Sequence, residues 1–93
     1  MKLTLNKAID VQGEETSELE FRDPTGGDVI DLGQPMNIGQ DGSFSFKMDV
    51  VAKYVVKLAK VPMSSVREMT PSDLTACAVL VAGFFGEQEA SIS

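Results

Sequence analysis

The segment 70-TPSDLTACAVLVAGFFG-86 sets the terms for the rest of the chain. Thr70 has an N-cap side chain, Pro71 suits the first helical position, and Asp73 stands where a short-armed capping-box partner would. No residue from Leu74 to Gly86 is charged, and Gly86 is a natural stop. The spacing predicts a helix over 71–85. At about 100° per residue, Leu74, Cys77, Ala78, Leu80, Val81, Phe84 and Phe85 share one broad arc. Thr75, Ala76, Val79, Ala82 and Gly83 lie opposite. One face is bulky, and the other is small, neutral and open to close approach by another backbone. A helix this apolar expects cover on more than one side.

The N-terminal third offers part of that cover. Leu3, Leu5, Ile9 and Val11 are spaced with polar neighbours as in a half-buried strand, and Glu18-Leu-Glu-Phe-Arg22 alternates again. Gln12-Gly13 between them supplies a turn with positive φ at the glycine. The reading is an antiparallel β-hairpin, about 2–11 and 17–22. A lone hairpin is marginal in water and must lay its apolar face on something, here the helices.

Asp23-Pro24 stops the second strand. Thr25-Gly-Gly-Asp28 reads as an N-cap with an acid at the third position, opening a short helix over 26–32 that Gly33 ends. Residues 33–43, GQPMNIGQDGS, read as a loop. The clearest helical period then runs over 44–60. Met48, Val51, Tyr54, Val55 and Leu58 form its apolar arc, while Asp49, Lys53, Lys57 and Lys60 lie opposite. Pro62 ends it. Ser64 to Met69 reads as a short helical turn with Val66 and Met69 inward, and the polar end 87–93 as a disordered tail. The expected architecture is one α+β domain: an N-terminal antiparallel hairpin packed on a short helix and two longer C-terminal helices.

Composition narrows the chemistry. The 93 residues carry a net charge of −6, against nucleic acid or an anionic membrane surface as partner. The start Met1-Lys2 leads into alternating residues and not a secretory signal, and the 74–86 run is short of the roughly 20 apolar residues that span a bilayer. A soluble, cytoplasmic protein is the expectation. Histidine is absent, which removes the commonest general base and metal ligand. The single cysteine, Cys77, has apolar neighbours that raise a thiol's pKa, so it reads as a buried structural thiol. Gly26-Gly27 and Gly33 lack a phosphate-loop spacing, and Glu14, Glu15, Glu18 and Glu20 lack a calcium-loop spacing. No catalytic, cofactor or metal residue is expected.

Binding remains. Lys53 and Lys57 could answer the acidic hairpin, meet an acidic partner, or form a plain solvated face. The small face Thr75, Ala76, Val79, Ala82 and Gly83 is the sharper candidate: either it is simply exposed, or another chain docks there, a homo-oligomer included.

These residues carry a resemblance. The hairpin, then FRDPTGGD (Phe21 to Asp28), a long helix, and TPSDLTACAVLVAGFF resemble the tail assembly chaperones of contractile-tailed, Mu-like phages and prophages. That family typically has an Arg-(Glu/Asp)-Pro-(small)-Gly-Asp segment after the hairpin. Arg22, Asp23, Pro24, Thr25, Gly27 and Asp28 match it with one extra glycine, Gly26. An Asp near a helix start and an apolar run ending in aromatics are matched by Asp73 and by Phe84-Phe85. The resemblance implies a non-enzymatic chaperone in the bacterial host's cytoplasm. It would bind the tape-measure protein, assist tail-tube subunits, and be absent from the mature virion. It also implies a longer form made by ribosomal frameshifting, for which Phe84-Phe85 offers codons beginning UU. The alternative is a small structural or regulatory interaction module, retained in a phage particle or acting as a homodimer.

Overall fold

Strands β1 (Lys2–Val11) and β2 (Glu14–Glu20) pair antiparallel around the two-residue connection Gln12-Gly13. Both connecting residues have positive φ, 54° and 88°, as a turn matching the right-handed twist of the strands requires. The computed structural model describes the backbone of residues 1–92, and the side chains of 1–37 and 39–85. The tight turn is why β2 starts at Glu14 and not at the expected 17.

The hairpin is not regular. Thr4 pairs with Glu18 but Ile9 pairs with Thr16, so Leu5, Asn6, Lys7 and Ala8 all lie opposite Ser17 alone. Such a bulge leaves backbone groups without ladder partners and bends the strand. It lets Leu5 and Ile9 both turn into the core beside Leu19 and Phe21.

Helix α1 (Gly26–Leu32) follows the proline and is closed by Gly33 at φ 84°. The segment expected to be a loop then contains a second hairpin, β3 (Met36–Ile38) paired with β4 (Phe44–Phe46). Its five-residue connection, Gly39 to Ser43, is closed by Gly42 N–H donating to the Gly39 carbonyl, with Gly42 at φ 86°. The expected helix over 44–60 therefore loses its first turn to a strand. Helix α2 is Met48–Ala59, entered from extended backbone at Lys47. Phe44 and Phe46 are edge to face at 5.0 Å, a contact that the period-two alternation of SFSF makes in a strand.

Helix α2 ends at Lys60, which takes the left-handed conformation (φ 58°, ψ 48°). Pro62 bars Val61 from the helical region, and the left-handed residue turns the chain away. Helix α3 (Met63–Arg67) and helix α4 (Pro71–Ile92) complete the chain. The assigned α4 runs past the expected end at 85. The expectation of a disordered tail over 87–93 falls outside the residues described to side-chain level.

The result is α+β. Strand β1 meets α3 and α4, β2 meets α2, and α1 docks on α2. The core joins the hairpin residues to Val51, Tyr54, Val55 and Leu58 of α2, Val66 of α3, and Cys77, Ala78 and Val81 of α4. The β3–β4 hairpin packs mainly on itself.

Candidate functional site

The segment Arg22 to Asp28 builds a lock between three elements. Thr25 caps α1, its hydroxyl accepting from Asp28 N–H, while the Asp28 carboxylate accepts from Thr25 N–H at 2.8 Å. That is a reciprocal capping box. The Arg22 guanidinium grips both oxygens of the same carboxylate at 2.9 and 3.1 Å, and Lys57 Nζ reaches it from α2 at 3.2 Å. Asp28 is 3% exposed. A buried carboxylate persists only when its lone pairs are satisfied. Hydrogen bonds from Arg22, then from Thr25 N–H, and then from Lys57 outweigh burial and hold it well below the usual carboxylate range.

Lys57 also contacts Asp31 at 3.2 Å. Its acids are those of α1, and not those of the hairpin. The Asp28 and Asp31 contacts raise its pKa. Lys53 is exposed and stands in no ion pair among the described residues. The two lysines of the candidate stripe thus have different surroundings, one turned into a structural cluster and the other left to solvent.

Asp73 forms the second cluster. Its backbone N–H donates to Thr70 Oγ1 at 3.2 Å, so Thr70 caps α4. Its carboxylate, expected to complete a capping box, turns instead to β1 and accepts from Asn6 N–H at 2.9 Å and Lys7 N–H at 3.1 Å. These amides belong to the bulge. Asp73 is 2% exposed, and the bond from Asn6 leads in holding its pKa down, against burial and with help from Lys7 and Thr70. Beside it, Ser65 Oγ donates to Asp10 C=O at 2.6 Å, and Glu68 accepts from Asp10 N–H at 3.2 Å. Helices α3 and α4 thus substitute for a missing third strand along β1.

The two family-type motifs meet at a crevice of about 50 Å³ lined by Pro24, Thr25, Gly26, Val29, Phe84 and Phe85. Phe85 stands edge to face on Tyr54 at 6.1 Å, and the Tyr54 hydroxyl donates to Gly33 C=O at 2.6 Å. Gly27 lies exposed on the first turn of α1, where it spaces Thr25 from Asp28.

The candidate docking face of α4 turns outward. Thr75, Val79 and Gly83 are exposed, with Val79 at 58%, and Ala76 and Ala82 are half-buried. Cys77, Ala78 and Val81 lie wholly inside on the opposite side. Burial pushes the Cys77 thiol up to about 11, with a smaller contribution from the Asp73 charge, so it is no thiolate near neutral pH. Among the described residues, no group of three His, Cys, Asp or Glu could hold a metal, and no helix is long and apolar enough to cross a membrane.

Sequence reasoning missed the Asp73 clasp and the second hairpin. The hairpin had a signal, Gly-Gln-Asp-Gly flanked by Met-Asn-Ile and Phe-Ser-Phe. The clasp had none, because a bulge is not visible in one strand's alternation.

The chain is thus a small α+β body whose last helix presents an uncharged outer side around Val79. Residues 2–86 match the model of a family described as phage tail assembly chaperone proteins, E, or 41 or 14, and the chain belongs to that family. No curated protein and no solved structure matches it.

Proposed function

We propose that this tail assembly chaperone binds the tape-measure protein along the outer face of α4, keeps it soluble, and assists tail-tube subunits to assemble around it. The observation that carries the reading is Val79, exposed at 58% in the uncharged stretch of the helix whose other side is the core. An elongated, helical client needs an apolar surface that admits close backbone approach, and Thr75, Ala76, Ala82 and Gly83 provide it around Val79. The net charge of −6 keeps a complex with an aggregation-prone client in solution. The action is non-catalytic, in the host cytoplasm, and the chaperone leaves before the virion is finished.

Co-expression with a tape-measure segment tests this. The segment is expected in the soluble fraction with the native chaperone and in the pellet with a Val79→Glu variant of unchanged melting temperature. Equal insolubility with and without the native chaperone overturns the reading. Stoichiometric recovery of the protein from finished particles would instead favour a retained structural module.

A further inference from the structure

The β3–β4 hairpin has an unused edge with a definite hydrogen-bonding pattern. Gly39 N–H donates to Ser43 C=O and Lys47 N–H to Pro35 C=O, both at 2.8 Å. Ser43 C=O and Lys47 N–H therefore face β3, with Ser45 between them opposite Asn37, while Ser43 N–H donates to Asp41 Oδ1 and Lys47 C=O accepts from Val51 N–H. By the alternation of an antiparallel ladder, the N–H and C=O groups of Phe44 and Phe46 point the other way. Neither amide donates to a group outside the hairpin among the described residues. Strands of three residues in a two-stranded sheet are short of what stands alone in water. Phe44 is nevertheless 51% exposed.

We propose that two copies of this chain associate through β4, paired antiparallel about a two-fold axis at Ser45. Phe44 then exchanges both backbone hydrogen bonds with Phe46 of the second copy, and the reverse pair forms by symmetry, joining two hairpins into one four-stranded sheet. The pairing also sets aromatic side chains opposite each other, a favourable cross-strand combination. Charge selects this edge and this occupant. In the same register Lys47 falls opposite Ser43 of the second copy and diagonal to its Asp41. Both Lys47 and Asp41 are exposed, and neither is in an ion pair among the described residues. The edge of β2 carries Glu14, Glu15, Glu18 and Glu20, which repel a second copy. The edge of β3 has no charged pair to match. The association stands apart from the chaperone reading, which rests on α4.

The full chain carrying Ser45→Cys tests the register. Ser45 meets its own symmetry mate at a non-hydrogen-bonded position, where Cα atoms sit about 4.5 Å apart, within disulfide reach. Cys77 is buried and does not compete. Under mild oxidation, Ser45→Cys is expected to yield covalent dimer about tenfold faster than a Ser43→Cys control, because pairing raises the local thiol concentration. Native protein is expected to show concentration-dependent dimerisation by sedimentation, with slowed amide exchange at Phe44 and Phe46. Phe44→Pro removes an outward N–H while sparing the ladder to β3, and should return the protein to monomer with its far-ultraviolet spectrum intact. A monomer at all concentrations, equal cross-linking of the two cysteine variants, or unprotected Phe44 and Phe46 amides overturns the proposal. So does protection of those amides that appears only when a different protein is added.

Discussion

Asp73 joins positions 66 and 67 residues apart, and at the residue scale it has the most distant partners of any side chain described. Its two oxygens replace the ladder partners that the bulge took from Asn6 and Lys7. Substituting Asn leaves one acceptor where two amides need one each, and an unsatisfied buried donor is costly. Asp73→Asn is therefore expected to lower the melting temperature, with exchange rising most at the Asn6 and Lys7 amides. Uniformly faster exchange would show that the clasp has no local role. Lys60 presents the opposite case. A left-handed conformation costs a residue with a Cβ about 1–2 kcal/mol, and glycine's greater unfolded-state freedom takes back about half of that, so Lys60→Gly should raise stability by a net of about 0.5–1 kcal/mol in urea unfolding.

At the scale of elements, α4 carries a buried side and an exposed side around its circumference. Val81→Ala empties a buried position and should cost about 1.5–3 kcal/mol, whereas Val79→Ala on the outer face should stay within about 0.5 kcal/mol. Chemical denaturation of the two variants distinguishes them directly. The β3–β4 hairpin is expected to open as its own unit. A Cβ on Gly39 would push aside Ser43 Oγ and the Asp41 Oδ1 that accepts from Ser43 N–H, so Gly39→Ala should lose amide protection first at Ser43 and then in β3 and β4, with little change in the global transition. How much of this was legible in the sequence follows the range of the interactions. The first hairpin and the two sides of α4 announce themselves through alternation and helical period, which are local. The strand Phe44–Phe46 was absorbed into the helical reading because its apolar residues also suit the first turn of an α2 begun early. The sequence leaves Lys57 open between the acidic hairpin, an acidic partner and solvent, because its actual partners, Asp28 and Asp31, belong to another element. Asp73 looked like a cap because nothing in its own neighbourhood reveals a bulge near residue 6.

For the whole molecule, titration is the simplest global test. With no histidine, stability is expected to be flat across about pH 5–8. Asp28 and Asp73 both have folded-state values below the ordinary 3.8, so near that pH the unfolded chain binds more protons than the native one. Their contribution is complete above 3.8 and is lost as the pH falls through the lower folded-state values. Thermal unfolding followed from pH 7 downward should decline below about pH 4, and Asp28→Asn should flatten that decline as well as lower the plateau. The bulge in β1 also bears on kinetics. Gln12-Gly13 lets the first hairpin form early from neighbours, but its irregular half has no partner until a residue of α4 arrives across most of the chain. Closing so long a loop carries a large entropic cost before any contact offsets it. The clasp is thus expected to set after the rate-limiting barrier, so that Asp73→Asn speeds unfolding in stopped-flow experiments and leaves the refolding rate almost unchanged. The hairpin's shape would then be decided last, at its most irregular point, by the helix that arrives to hold it.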